Sequence, residues 1–230
     1  MTNVIPGYPV PVGADDSKYP YGSAAVVNNW AHKSGLLEVQ RFLKQIHDWM
    51  GHPDKVTAIA RSWSPEASTL ILGGREGILS AREDVRAYWE GSAFAAFSAY
   101  TDHVLKVVDD TYAVMAGMSD LSLKLCETIT KTYQAGISFI GSCAQALLDA
   151  AGTLAQQWKN LWGGVCEAIF QALSDFVGAV TTLANEIRHN MTEYSRAAVE
   201  LERKAAELRV PDPLPTSVGE TGNWQPRKVG

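Results

Sequence analysis

The sequence predicts an all-α fold, an elongated bundle of long antiparallel helices, and two observations predict it. Residues 23–209 contain only two of the chain's ten prolines, Pro53 and Pro65, and almost no runs of β-branched residues bounded by turn residues. Apolar residues recur there at alternating steps of four and three, the spacing of helices that pack side by side. We therefore expect a helical domain over 23–209, between a Pro-rich N-terminal tail, 1–22, and a disordered C-terminal tail, 210–230.

In the first half of this domain the pattern predicts shorter helices. The stretch Trp30–Trp49 reads as one amphipathic helix, and Pro53 suits the first position of the next, where its missing N–H costs nothing. That second helix is expected to be kinked or interrupted at Ser64-Pro65, at Gly73-Gly74 or at both.

Two long helices are predicted to follow. One starts near Ser92, and we expect it to break near Gly117–Ser119, where a glycine precedes a potential N-cap; the alternative is that it continues towards Gly136, since the apolar pattern does. The other covers about 164–209, with its first half buried on several sides and its second half solvated on the outer face. Their 4-3 seams, which predict a left-handed supercoil, include Ala93, Phe97, Tyr100 and Val104 in the first and Cys166, Phe170, Leu173, Val177, Val180, Met191, Tyr194, Leu201 and Leu208 in the second.

Between two of these helices lies a Trp-x-Gly motif, Trp89-Glu90-Gly91. Gly can take the left-handed conformation that reverses the chain, and we expect the Trp to cover the open end of the hairpin core. A second motif, Trp162-Gly163-Gly164, lies 73 residues later, and residues 89–104 match residues 162–177 at seven of sixteen positions. We interpret this as two tandem hairpins that bury each other, the alternative being convergence of two Ala-rich helix starts.

The segment GHPDKVTAIARSW…AREDVRAYWEGSAFAAFSAY, with its helix, Trp-x-Gly and helix in order, resembles the WXG100 superfamily over about residues 30–125. These helical-hairpin proteins are exported by type VII secretion systems of actinobacteria and related bacteria. The resemblance implies leaderless export to the cell surface or medium after a cytoplasmic stage. It also implies a protein partner, either a second copy, a small WXG100-type protein or the secretion machinery.

The resemblance also implies site residues. Trp89, Gly91, Trp162, Gly163 and Gly164 would form the turns and take part in secretion recognition. The residues expected to form the partner-binding seam are Phe97, Tyr100, Val104, Met191, Tyr194, Leu201 and Leu208. The chain departs from the family's export signal, because none of its eight tyrosines has an acidic residue four places on, so a partner carrying that motif is expected.

Charge and cysteine content exclude other classes. A net charge of −5 argues against nucleic-acid binding, which needs a clustered basic excess. Three cysteines, Cys126, Cys143 and Cys166, are an odd number without zinc-type spacing, so we expect buried free thiols. The uncharged stretch Thr132–Leu148 carries polar side chains and favours a buried core helix over a membrane span.

No catalytic, phosphate-binding or metal motif is present in the sequence, so we expect a protein without catalytic residues, cofactor or metal. The predicted function is that of a type VII secretion substrate or assembly partner acting through helix-helix contacts. Two alternatives stay open. One is a membrane-active or ring-forming protein, because residues 132–184 hold only four charged side chains; the other is a cytosolic scaffold or chaperone for a larger exported protein.

Overall fold

Seven α-helices and one two-stranded sheet make up the described part of the chain, which in this computed structural model comprises residues 19–49, 53–63, 66–156, 162–209 and 212–227. In chain order these elements are α1 (Tyr21–Lys33), α2 (Leu37–Asp48), α3 (Pro53–Trp63), α4 (Glu66–Tyr88), β1 (Trp89–Glu90), α5 (Ser92–Gln156), α6 (Trp162–Glu207), α7 (Thr216–Gly219), a 3-10 turn (Thr221–Asn223) and β2 (Gln225–Pro226). The predicted all-α class is confirmed.

The elements belong to two compact units. Unit 1 takes the described residues up to Thr57 together with Leu123–Tyr194, and unit 2 takes Ala58–Ser122 together with the described residues from Ser195 onward. Unit 1 thus contains α1, α2, the C-terminal half of α5 and most of α6. Unit 2 contains α4, the N-terminal half of α5, the end of α6 and the C-terminal segment.

The N-terminal helices differ from the prediction. Instead of one helix over Trp30–Trp49 there are two, α1 and α2, separated by Gly35 at a φ of 71°. A residue with this left-handed backbone ends a helix, and the N–H of Leu36 then donates to the carbonyl of Ala31 at 2.9 Å, as in a glycine-terminated helix end. The last residues of the predicted tail, 19–22, are part of the fold: Tyr19 donates its hydroxyl to the carbonyl of Leu43 at 3.1 Å, and α1 begins at Tyr21.

Helix α3 begins at Pro53, as predicted. Of the two points at which an interruption was predicted, Gly73-Gly74 shows none, because α4 runs unbroken through both glycines. Positions 64 and 65, between α3 and α4, lie outside the described residues.

The predicted break near Gly117–Ser119 is wrong, because α5 is one continuous helix of 65 residues. Gly117 serves close packing instead: a side-chain carbon there would lie 2.6 Å from a methyl carbon of Leu201 on α6. Ser119 is buried and donates its hydroxyl to the carbonyl of Ala60 at 3.2 Å, so it bonds to another helix rather than capping its own. Both local stop signals are thus used for tertiary contact.

Cross-helix contacts show that neighbouring long helices are antiparallel. In unit 2, Arg75 Nε of α4 lies 2.8 Å from Asp109 Oδ1 of α5, and seven residues later on α4, Arg82 pairs with Asp102, seven residues earlier on α5. In unit 1, Tyr194 of α6 shares a hydrogen bond with the hydroxyl of Thr128 on α5, and the thiol of Cys143, later on α5, donates to the carbonyl of Ala172, earlier on α6, at 3.6 Å. The two predicted hairpins therefore share α5 instead of using two helices each.

One apolar cluster forms the core of unit 1. It is built from a face of each of α1, α2, α5 and α6, and its buried members are Ala24, Val27, Ala31, Val39, Phe42, Leu43, Ile46, Ile140, Cys143, Ala144, Leu147, Ile169, Leu173, Phe176 and Val180. The stretch Thr132–Leu148 thus supplies a core helix, as predicted. None of the described helices is both long enough and apolar enough to cross a membrane.

The buried face of α6 is rotated from the predicted seam. Leu173 and Val180 are buried as expected, but the buried residues between and before them are Ile169 and Phe176, while Phe170 is 48% exposed. The buried residues of α6 still recur at steps of four, three and four, so the predicted period holds and only the phase of the seam differs. Apolar residues flank both phases in the sequence, and the core formed with α1, α2 and α5 determines which of them is buried. The solvated second half of α6 is confirmed, since none of its residues 195–207 is buried.

The cysteines divide two to one. Cys126 and Cys143 are buried free thiols as predicted, whereas Cys166 is exposed, contrary to the prediction. Burial, assisted by the nearby carboxylate of Asp175, raises the pKa of the Cys143 thiol to about 11. Because the thiolate is the nucleophilic form, Cys143 is an inert core residue at neutral pH.

The adjacent residues Leu147 and Leu148 test the core of unit 1. Leu147 is fully buried and Leu148 is 51% exposed on the same helix. Leu147→Ala is expected to lower the free energy of unfolding by about 2–5 kcal/mol, because it removes buried carbon and leaves a cavity. Leu148→Ala, the matched control, should change it by less than ~1 kcal/mol. Urea denaturation measures both, and equal losses would contradict the placement of this face.

Candidate interaction site at the Trp89–Gly91 turn

A glycine reverses the chain between the two long helices of unit 2. Helix α4 ends at Tyr88, β1 follows, and Gly91 takes a φ of 101° before α5 begins at Ser92. The carbonyl of Gly91 accepts a hydrogen bond from the N–H of Ala95 at 3.1 Å, which joins the turn to the first turn of α5. A left-handed φ of this size strains any residue with a Cβ, so the conformation accounts for the glycine of the motif.

The C-terminal segment, residues 216–227, covers this turn. Its strand β2 pairs antiparallel with β1, Trp89 opposite Pro226 and Glu90 opposite Gln225. Beyond the pair, the N–H of Arg227 donates to the carbonyl of Tyr88 at 2.9 Å. The Arg227 guanidinium donates to the carbonyl of Arg86 at 3.1 Å, on the last turn of α4. The end of α4 and the edge of the turn are thus bonded by a segment from the other end of the sequence.

An aromatic cluster holds the segment in place. The ring of Trp224 lies edge-on to Trp89, with ring centres 6.1 Å apart, and 6.4 Å from the ring of Phe97 on α5. Its indole N–H donates to the carbonyl of Val218 at 2.8 Å, which satisfies the polar atom of a half-buried Trp. Trp89, which was expected to cover the hairpin end, is 41% exposed there, and Trp224 lies against Trp89 and Phe97.

Segment 216–227 also has internal order. The side-chain amide of Asn223 donates to the carbonyl of Ser217 at 3.2 Å and to a carboxylate oxygen of Glu220 at 2.8 Å. Val218 is buried. The region 210–230 was expected to be a disordered tail because it has four prolines and no apolar period, yet its described part, 212–227, folds. The available signal was Trp224, a large aromatic residue within a polar sequence.

The second Trp-x-Gly has a different setting. Trp162 is the first residue of α6, so Trp162, Gly163 and Gly164 lie in the first turn of that helix and not in a loop before it. The side chain of Trp162 is not part of the described structure. The positions matched by the 73-residue repeat also differ in environment, since Ala93 is fully buried and its equivalent Cys166 is exposed.

The residues of the predicted partner-binding seam are divided between the units. Phe97, Tyr100 and Val104 are half-buried on α5 in unit 2, where Leu201 packs on Gly117 and Leu208 lies just past the end of α6. Met191, 45% exposed, and Tyr194 belong to unit 1, and Tyr194 donates to the carbonyl of Lys124 at 3.3 Å. Of the predicted site residues, Trp89, Gly91 and Phe97 are the ones gathered at the turn.

Among the residues that the structure describes, no group of three or more His, Cys, Asp or Glu side chains is placed to hold a metal ion. No family model, curated protein or solved structure matches the chain. What the site can bind therefore follows from its geometry. A strand edge, backbone carbonyl acceptors and an aromatic cluster together suit an extended polypeptide.

Gly91→Ala tests the turn. It is expected to strain the left-handed backbone by about 1–2 kcal/mol and to place a carbon 3.0 Å from the carbonyl oxygen of Asn223. Gly35→Ala is the matched control, because Gly35 also has a positive φ but nothing within 4 Å of the added carbon. Hydrogen exchange should accelerate in residues 216–227 for Gly91→Ala only. Unchanged exchange there would show that the segment does not depend on the turn.

Proposed function

We propose that this protein is a non-enzymatic, WXG100-like helical protein that acts in type VII secretion, as a substrate or an assembly partner, through helix-helix contact with another protein. The observation that carries the proposal is the Trp-x-Gly turn: Gly91, two residues after Trp89, has a φ of 101° and joins two long antiparallel helices. This geometry supports the proposal, because the sequence resemblance implies a hairpin with such a turn.

The surface of unit 2 supports an action through protein contacts. Its described buried apolar residues are few, namely Ala60, Ala93, Leu105 and Val218. Large apolar side chains meanwhile face solvent on α3 and α4, with Leu70 79% exposed and Ile59 53% exposed. The exposed large hydrophobic residues of α3 and α4 are Ile59, Trp63, Leu70, Leu72 and Tyr88. Exposed apolar patches mark interaction sites in soluble proteins, and the proposed contact lies on the side of α4 that carries Leu70.

The glycines of α4 support a close-packing partner. Gly73, Gly74 and Gly77 are exposed, and a side-chain carbon at any of them would meet nothing within 4 Å. Each glycine in a helix interior costs about 1 kcal/mol relative to alanine. Beside Leu70, this small-residue face would let the backbone of a second helix approach closely.

The proposed partner is a small WXG100-type protein that carries the export motif this chain lacks. It would leave the cell with the complex by a leaderless route. Failure to leave the cell, with a stable complex retained, would favour the cytosolic scaffold or chaperone alternative.

Leu70→Asp tests the contact surface. Because Leu70 is 79% exposed, the substitution should leave the free energy of unfolding nearly unchanged while placing a charge in the proposed helix-helix contact. Light scattering after size exclusion, with a co-expressed small WXG100-type protein, should show loss of the complex. Leu148→Asp, at a 51% exposed position of unit 1, is the control and should retain it. Loss of the complex in both variants, or in neither, would contradict this surface.

Trp89→Ala tests the role of the turn in export. The variant is expected to disappear from the culture supernatant of a host with a type VII system while accumulating inside the cell. Tyr112→Ala removes an aromatic residue of similar exposure, 37% against 41%, from α5 in the same unit and should be exported normally. If Trp89→Ala changed neither thermal stability nor export, the turn would not have the proposed role.

A further inference from the structure

We propose that residues 216–227 form a displaceable latch: β2 fills, within the same chain, a strand-accepting edge at the Trp89–Gly91 turn, and its release opens that edge to an extended segment of a protein partner. The inference deepens the proposed function and rests on it in one respect, that a partner meets the protein at this turn. The occupant we assign is an extended protein segment, bound by β-strand addition.

The main-chain contacts of the latch can be made by almost any extended segment. Strand β1 supplies the antiparallel pair, and the carbonyl of Tyr88 accepts the N–H of Arg227 at 2.9 Å. These acceptors belong to the backbone of the turn and depend on no particular side chain of the incoming strand. The edge is therefore a general strand-accepting site, as in other proteins that bind peptides by adding a strand.

Selectivity comes from the aromatic position. Trp224 lies three residues before Arg227 and packs on both Trp89 and Phe97. A competing segment must therefore carry an aromatic side chain three residues before a residue with a free N–H. A cationic side chain at that second position would also reach the carbonyl of Arg86, as the Arg227 guanidinium does.

The attachment of the latch is small enough to be reversible. Val218 is the only buried residue in 212–227, and β2 has two residues. A two-stranded pair this short is at best marginally stable by itself. Regions with few buried contacts open at a small fraction of the global unfolding free energy. The latch is thus expected to open while both units stay folded.

The tether, which is the stretch that joins the end of α6 to segment 216–227, keeps the latch closed when no partner is present. Its described part, Asp212–Pro215, is exposed and holds Pro213 and Pro215. A short tether gives the segment an effective concentration in the mM range at the turn. A partner segment must compete with the latch at this effective concentration. A free peptide therefore binds the closed protein weakly and the opened protein more tightly.

When closed, the latch covers the turn closely. The carbonyl oxygen of Asn223 lies 3.0 Å from the point where a side-chain carbon of Gly91 would be. Trp224 meanwhile occupies the face shared by Trp89 and Phe97. A partner that binds Gly91, or the side of Trp89 that faces Trp224, therefore meets it only after the latch has moved.

The test uses the full-length chain and a fluorescent synthetic peptide of residues 212–230 as the probe. Trp224→Ala and, separately, Arg227→Pro should open the latch, the first by removing the aromatic contact and the second by removing the N–H that bonds Tyr88. Each should bind the probe at least ~10-fold more tightly than the wild type, because the tethered competitor is weakened. Leu214→Ala, on the exposed tether, is the control and should bind like the wild type.

A variant with the latch locked shut by a disulfide provides the opposite test. Because Glu90 and Gln225 are directly paired, a Glu90→Cys, Gln225→Cys variant, with Cys166 replaced by Ser, should form a disulfide that holds the latch shut. Probe binding should be lost when it is oxidised and return on reduction. Equal binding by the locked and reduced forms, or no gain in either opened variant, would overturn the latch.

The same samples separate this inference from the proposed function. Suppose that probe binding rises in the opened variants and is lost in the locked form, but that the protein forms no complex and is not exported. This result would count against the secretion role and would leave the latch standing. A normal complex and normal export in the locked form would count against the latch alone.

Discussion

Helix α5 is the element on which the rest of the structure depends, because its 65 residues must be covered by different partners along its length. An isolated helix has little stability of its own in water and is held by burial of its apolar face. In unit 1 the C-terminal half of α5 buries Ile140 and Leu147 against α1, α2 and α6. In unit 2 the N-terminal half buries Ala93 and Leu105. One uninterrupted helix therefore supplies core residues to both units.

The two units differ in how completely they cover their apolar side chains. Unit 1 has a continuous cluster that includes several fully buried Leu, Ile and Val residues. Unit 2 has fewer buried apolar residues among those described, and it leaves Ile59, Leu70 and Leu72 exposed. Burial of a large apolar side chain is worth about 1.5–3 kcal/mol. The incomplete cover of unit 2 is the physical basis for the proposal of a protein contact there.

The Trp89–Gly91 turn joins a backbone constraint to a recognition surface. Gly91 makes the sharp reversal possible, and the reversal presents the edge of β1 and the carbonyls at the end of α4. These unpaired edge groups need hydrogen-bond partners. In the closed form the C-terminal segment supplies them, so the geometry that builds the hairpin also creates a site for a strand. Regulation by a latch would follow from the same few contacts.

The sequence by itself determined the helical class, the start of α3 at Pro53, the start of α5 at Ser92 and the position of the Trp89–Gly91 turn. These features depend on local rules, since helix period, proline and the left-handed preference of glycine act within a few residues. The sequence alone did not show whether a glycine ends a helix or lies within one, because a contact with a distant residue can decide between the two. Gly35 ends a helix, whereas Gly117 continues one because Leu201 packs against it.

Only the tertiary structure decided the rotated face of α6, the exposure of Cys166 and the fold of the C-terminal segment. Each depends on which elements come together from far apart in the chain: α6 shares one core with α1, α2 and α5, and β2 pairs with a strand more than 130 residues earlier, by residue number. Trp224 gave a local hint, but its role follows from Trp89 and Phe97, which only folding brings near it. Periodicity states that a face is apolar, and the packing of the whole chain determines what covers it.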